Sequence, residues 1–301
     1  MPREPAERCH ASPKPEPRWQ CKPRSPRLRV RLVFPRQTTS STDSIWRSYD
    51  QGLPVDIFGS VCWQCVVREA KTKLNLEILA CEPSSLGLLC LRRRELISQP
   101  GTIVTEVTLD HEFLMSSLYT DSERALARIA FAMHSDDELR VLVGGLGLGY
   151  TAREVLLSGR VARVEVVELL PQVIDWLARG LVPLSSELRD EPRLTITQGD
   201  VYRRLAGPPD DLFDVILIDV DHSPEERLAE ESVSFYTSQG LLAARRHLAT
   251  DGVLAVWSYA ESSPFSEALR AVFDHVHVEP VTYDNRLIDQ QPTDWLFFAR
   301  G

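Results

Sequence analysis

Apolar positions along the chain fall into two rhythms, and the change comes near residue 120. Between Ile45 and Glu112 the apolar runs are short and interrupted by polar residues: Val55 to Phe58, Leu74 to Leu79, Leu86 to Leu91 and Ile103 to Val107. Alternation at a period of two, with turn residues between the runs, predicts a small antiparallel sheet or hairpins over residues 45–120. From Ser122 to Ala132 the spacing becomes helical, with Leu126, Ile129 and Ala130 on one face and Ser122 placed to cap the start. Beyond Leu139 strands and helices alternate. Strands are expected at Val141–Val143, Val164–Val167, Leu194–Thr197, Asp214–Ile218 and Val253–Trp257, the last entered through Asp251-Gly252. Helices are expected after the glycines of residues 144–149, from Pro171 to Arg179, from Gly240 to Leu248 and from Ser266 to Phe273. Val276–Val281 and Trp295–Ala299 supply a closing pair of strands. This order predicts a largely parallel, helix-covered sheet of seven strands over residues 121–301.

Residues 1–40 have no such pattern. They hold eight of the twenty prolines, and ten Lys and Arg against three Glu, a balance of +7. A disordered basic extension is expected there. The net charge of −9 therefore leaves −16 on the remainder. An acidic body argues against nucleic acid as a partner of the core and suits a cationic substrate. No run approaches ~18 apolar residues, so no membrane span is expected. The Pro- and Arg-rich start lacks an apolar signal region, which makes the cytoplasm the expected compartment. All six cysteines precede residue 91. Cys62 and Cys65 form a CxxC, half of a zinc or redox motif, but Cys81 and Cys90 lie nine apart and complete no second pair. Ordinary thiols and no metal are expected.

The chemistry gathers at strand ends. Val141–Val143 runs into Gly144, Gly145, Gly147 and Gly149, and a helix follows with Ala152, Val155 and Leu156 in phase. Strand, glycine turn and helix in that order let main chain approach a ligand closely and present free N–H groups to it. Glu168 ends the next strand, nineteen residues beyond Gly149, the place for a carboxylate that accepts both ribose hydroxyls. Asp200, after the third strand, is placed to accept from an adenine amino group. Asp219 ends the fourth strand and points toward the reactive end of a bound nucleoside. Taken one by one, these acids read as exposed strand ends; four consecutive strands ending this way read as a nucleoside site.

The segments GGLGLGYTARE, VEVVELLPQVIDW, ITQGDVYRRL, FDVILIDVDHSP and DGVLAVWS, with Phe235-Tyr236 before a helix, resemble the spermidine synthase (polyamine aminopropyltransferase) family over about residues 100–300. The acidic segment after the fourth strand and the ending from Thr282-Tyr283 to Trp295-Leu296-Phe297 are the more specific likenesses. The resemblance implies an α/β fold, the Rossmann-like seven-stranded sheet of the S-adenosylmethionine-dependent methyltransferases, with the upstream strands as a small β-rich N-terminal domain. It implies aminopropyl transfer from decarboxylated S-adenosylmethionine to a small amine, and in a family that often dimerises a homodimer is the matching expectation. Asp219 matches the family's first aspartate of Asp-Ser-Ser-Asp-Pro, the one assigned to the base. His222 falls where the second is expected, Asp221 sits one place earlier, and either is placed to assist. Tyr283 lies where the family has a substrate-pocket tyrosine. Two departures stand out. Leu148 occupies the place of the glycine-loop aspartate that binds the free amine of the decarboxylated donor. The Tyr-His-Glu amine-binding segment is also absent, with Asp110-His111-Glu112 near its place. Three functions stay open: aminopropyl transfer, S-adenosylmethionine-dependent methyl transfer, and nucleoside binding without turnover.

Overall fold

The computed structural model describes residues 76–220, 224, 234–284 and 290–301. The extension 1–40, the run Val55–Phe58, Cys9, Cys21, Cys62, Cys65, Asp221 and His222 lie outside the described residues. No described helix is long and apolar enough to cross a membrane.

The first rhythm builds a four-stranded antiparallel meander: β1 (Leu76–Pro83), β2 (Leu88–Glu95), β3 (Ile103–Leu109) and β4 (Glu112–Ser116). Strand β4 is absent from the sequence reading. The tight connection before it is made by Asp110 and His111, both at positive φ (49° and 75°), and neither is the glycine by which such a hairpin is usually recognised. The Asp110 carboxylate ties the turn to β2 by accepting from Leu88 N at 2.7 Å. Register also corrects the cysteine reading. Cys81 and Cys90 stand directly opposite on β1 and β2 and are joined by a disulfide. Nine residues apart in sequence is nearest neighbour across a hairpin.

The second rhythm builds a seven-stranded sheet in the order β10-β11-β9-β8-β5-β6-β7. Its members are β5 (Leu139–Gly144), β6 (Val161–Glu168), β7 (Leu194–Gln198), β8 (Phe213–Ile218), β9 (Leu248–Ser258), β10 (His275–Thr282) and β11 (Thr293–Arg300). The five strands β5 to β9 pair in parallel, while β11 inserts antiparallel between β9 and β10. The interleaved helices are α1 (Asp121–Ala132), α2 (Tyr150–Leu157), α3 (Pro171–Ala178), α4 (Ser185–Leu188), α5 (Val201–Ala206), α6 (Ser238–Arg245) and α7 (Ser263–Arg270). Strand β9 starts at Leu248 rather than Val253. Its Asp251-Gly252 is an interruption within the strand, where the pairing with β8 shifts register. Arg160 ties down the end of α1, donating to the carbonyls of Phe131 (2.9 Å) and of His134 (2.7 Å), two residues beyond the helix.

Strand periodicity divides the core into two layers. Val141, Val143, Val215, Leu217, Val253, Ala255, Leu296 and Phe298 face one side, together with Leu126, Ala127 and Ala130 of α1. Leu142, Ile216, Ile218, Leu254, Val256 and Phe297 face the other, against α6 and α7. The meander contributes Leu89, Leu91 and Val107 to the first layer, so the two sheets share apolar burial. That contact brings β4 and the start of α1 to the carboxyl edge of the large sheet.

Candidate active site

The chain leaves β5 for β6 on one side and returns to β8 on the other, and the crevice lies where those directions diverge. Gly144, the last residue of β5, pairs with Ile218 and Val167, which puts the glycine loop, Glu168 and Asp219 side by side. Main-chain bonds lock the junction: Asp219 N donates to Gly144 O (2.8 Å) and Gly145 N to Val167 O (2.9 Å). Gly145 and Gly149 take φ of +95° and +93°. A Cβ on Gly145 would meet the Asp219 carbonyl, and one on Gly149 the Leu188 side chain. The glycines are there to let the end of β8 close on the loop. Met115 of β4 lies over Gly147, and Gly144 faces Val201.

Glu168 is 7% exposed. Its Oε2 accepts from Leu146 N at 2.8 Å and its Oε1 from Leu170 N at 2.7 Å. Burial raises its pKa, and these main-chain donors work against the rise. The residue read from sequence as a ribose acceptor is thus also the clasp of the glycine loop.

Asp219 sits in a different setting. The Thr151 hydroxyl donates to its Oδ2. Glu123, in the first turn of α1, and Asp294 on β11 lie close enough for their charges to interact with each other and, in turn, with Asp219. Ser122 links two of them: its hydroxyl donates to Asp294 Oδ2 at 2.7 Å, lies 3.2 Å from Glu123 Oε2, and accepts from Trp257 Nε1 at 3.1 Å. Burial and the charge of Asp294 push Asp219 up to about 6, against the Thr151 hydrogen bond. Burial and the charge of Asp219 push Glu123 up to about 8. Burial also raises Asp294. Among the described residues no Lys, Arg or His forms an ion pair with any of the three. Such a group gains by admitting a cation, which relieves the repulsion.

Glu123, Asp294 and Thr151 were not singled out from sequence, and Ser122 was read there as a helix cap. The signal for Asp294 is phase: it shares a strand face with Leu296 and Phe298, where an acid costs burial energy unless it has work to do. Ser122 is likewise in phase with Leu126, and it does not cap α1. Thr120 holds the cap position, while the Ser122 side chain is turned into the site. Asp200 is the N-cap of α5, its Oδ1 accepting from Tyr202 N (2.9 Å) and Arg203 N (3.2 Å), an arrangement worth about 1 kcal/mol. Tyr283 stacks on Tyr119 with ring centroids 4.9 Å apart, beyond the end of β10. Asp110-His111-Glu112 is an exposed hairpin tip. Leu148 is 5% exposed and belongs to the core.

No family model matches the chain. It is 37% identical over 120 residues to polyamine aminopropyltransferase 2 of Streptomyces coelicolor, a stretch covering 39% of this chain and 21% of that one. It is 32% identical over 158 residues to polyamine aminopropyltransferase 2 of Pseudomonas aeruginosa, covering 48% and 43%. The chain thus spans less than half the length of these two relatives. Among solved structures, a spermidine synthase in complex with the transition-state analogue AdoDATO superposes with a TM-score of 0.59 at 21% identity, over 74% of this chain and 73% of that one. The spermidine synthase from Thermotoga maritima gives 0.58 at 20% identity, over 74% and 72%. By sequence over part of its length, and by fold over about three quarters of it, this chain is similar to the polyamine aminopropyltransferases and spermidine synthases.

Proposed function

We propose that the protein transfers an aminopropyl group from decarboxylated S-adenosylmethionine to a small aliphatic amine. The observation that carries this reading is the group of three carboxylates that has no cationic partner among the described residues, set against a glycine loop suited to a nucleoside. The donor is a sulfonium and the acceptor arrives as an ammonium, so both bring the charge this site lacks. In the reaction the acceptor nitrogen attacks the carbon next to sulfur. A C–N bond forms, the C–S bond breaks with its electron pair going to sulfur, and the acceptor must lose a proton. Asp219, raised to about 6, is ionised at neutral pH yet basic enough to take that proton. On this reading the glycine loop and Glu168 hold the nucleoside, Asp200 serves its base, and Tyr283, stacked on Tyr119, serves the amine side. Asp221 and His222 are assigned by resemblance to assist Asp219.

Leu148 makes the donor the point to test, because the loop offers no carboxylate to a free amine at that position. Calorimetric titration with S-adenosylmethionine and with its decarboxylated form decides it. Aminopropyl transfer expects the decarboxylated form to bind at least tenfold tighter, the scale of one charged hydrogen bond. Tighter binding of S-adenosylmethionine would overturn this reading in favour of methyl transfer.

A further inference from the structure

The inference rests on the reading of Asp219 as the base. We propose that Thr151 is the positioning residue of that base, orienting the carboxylate while it is ionised and switching partner once it has taken a proton. Thr151 is the second residue of α2, is 3% exposed, and is bound to Asp219 Oδ2 through its hydroxyl. The same oxygen lies 3.4 Å from the main-chain carbonyl of Glu123. A hydroxyl has one proton to donate and two lone pairs with which to accept. Facing an ionised Asp219, the proton goes to the carboxylate, the closer partner. When Asp219 has accepted the amine's proton, its own O–H needs an acceptor. Rotation of the Thr151 hydroxyl turns its proton to the Glu123 carbonyl and presents a lone pair to Asp219. Both protonation states of the base then keep a hydrogen bond.

The charged group that opposes the ionisation of Asp219 is Asp294 from β11; Glu123 from α1, itself raised to about 8 by burial and by Asp219, is neutral where Asp219 titrates. Thr151, from α2, is the described side chain that favours the ionised form. The glycine loop adds no charged side chain. Removing the hydroxyl leaves the repulsion and takes away the support, so Asp219 should hold its proton to higher pH.

Thr151→Val keeps the side-chain shape and deletes the hydroxyl. With decarboxylated S-adenosylmethionine and a short aliphatic diamine, it should move the acid limb of the kcat profile upward by about one pH unit. At pH 5, below both limbs, kcat should fall about tenfold, and at pH 7 only about twofold, with KM for the amine changed less than twofold. Thr151→Ser should restore both. A structural role alone would lower Tm without moving the limb, so Tm is measured for each variant. Thr151→Ala repeats the readout where the valine packs badly. An unmoved limb, alongside an Asp219→Asn variant that has lost turnover, overturns the proposal and leaves the base assignment standing. Turnover by Asp219→Asn at the unmodified rate overturns the base assignment itself, and the proposal with it.

Discussion

Glu168 and Asp219 follow the same plan up to a point: each is a carboxylate at the carboxyl edge of a strand flanking β5, and burial pushes each toward its protonated form. They differ in what answers that pressure. Around Glu168 the chain itself does, with main-chain N–H groups on both oxygens. Around Asp219 the described donor is one hydroxyl, and two further carboxylates stand nearby. Peptide donors held by the fold make Glu168 a built-in part of the loop. The crowded acids of the other half have two hydroxyls and the Trp257 indole N–H between them and, among the described residues, no cation against them, which on the proposed reading leaves that half to be completed by a cationic ligand. The same residue chemistry thus serves structure on one side and, on the proposed reading, recognition on the other.

The largest effect should come from breaking the incomplete half. Asp219→Asn keeps size and polarity but cannot accept the amine's proton, and kcat should drop by about 10²- to 10⁴-fold. Donor Kd should move far less, as read by steady-state assay beside calorimetry. Next in size is the complete half. Glu168→Gln replaces one accepting oxygen with an N–H₂ group, leaving a loop N–H without its acceptor. Donor Kd should weaken by about 10- to 100-fold, the scale of a charged hydrogen bond, with a fall in Tm that Asp219→Asn does not share.

The smallest effect tests the repulsion itself. Glu123 is raised in the folded protein from 4.5 to about 8. A raised carboxylate contributes stability that is fully present below the unfolded pKa and is lost as pH climbs through the folded one, here between about 4.5 and 8. Glu123→Gln is neutral throughout and escapes that loss. Its Tm should match the unmodified protein near pH 5 and exceed it by about 2–4 °C at pH 9. A gain that ran the other way would mean that an unseen cation already balances the group.

Much of this was legible in order. The period-two runs from 76 onward and the alternating elements beyond 139 became strands and helices within a few residues of their expected bounds, because core-facing strands must carry apolar side chains in phase. The glycine loop was legible for a similar reason, since only glycine tolerates the φ of 145 and 149. Strand β4 was hidden by a turn made of Asp110 and His111, and the disulfide by register, which only pairing reveals. At the site, Glu168 and Asp219 could be found because each ends its own strand. Glu123 and Asp294 could not, being 171 positions apart and joined only where α1 crosses β11.

The sequence by itself therefore determined the α/β class, the glycine loop and the carboxylates that end strands, all of which depend on local periodicity and backbone geometry. Tertiary structure decided what those carboxylates do. It tied Glu168 to the loop as well, made Asp200 a helix cap, turned Ser122 inward and brought two more acids to Asp219. A side chain's charge is written in its residue type, but its cost and its use depend on the donors and charges within a few ångströms, and those come from everywhere in the chain.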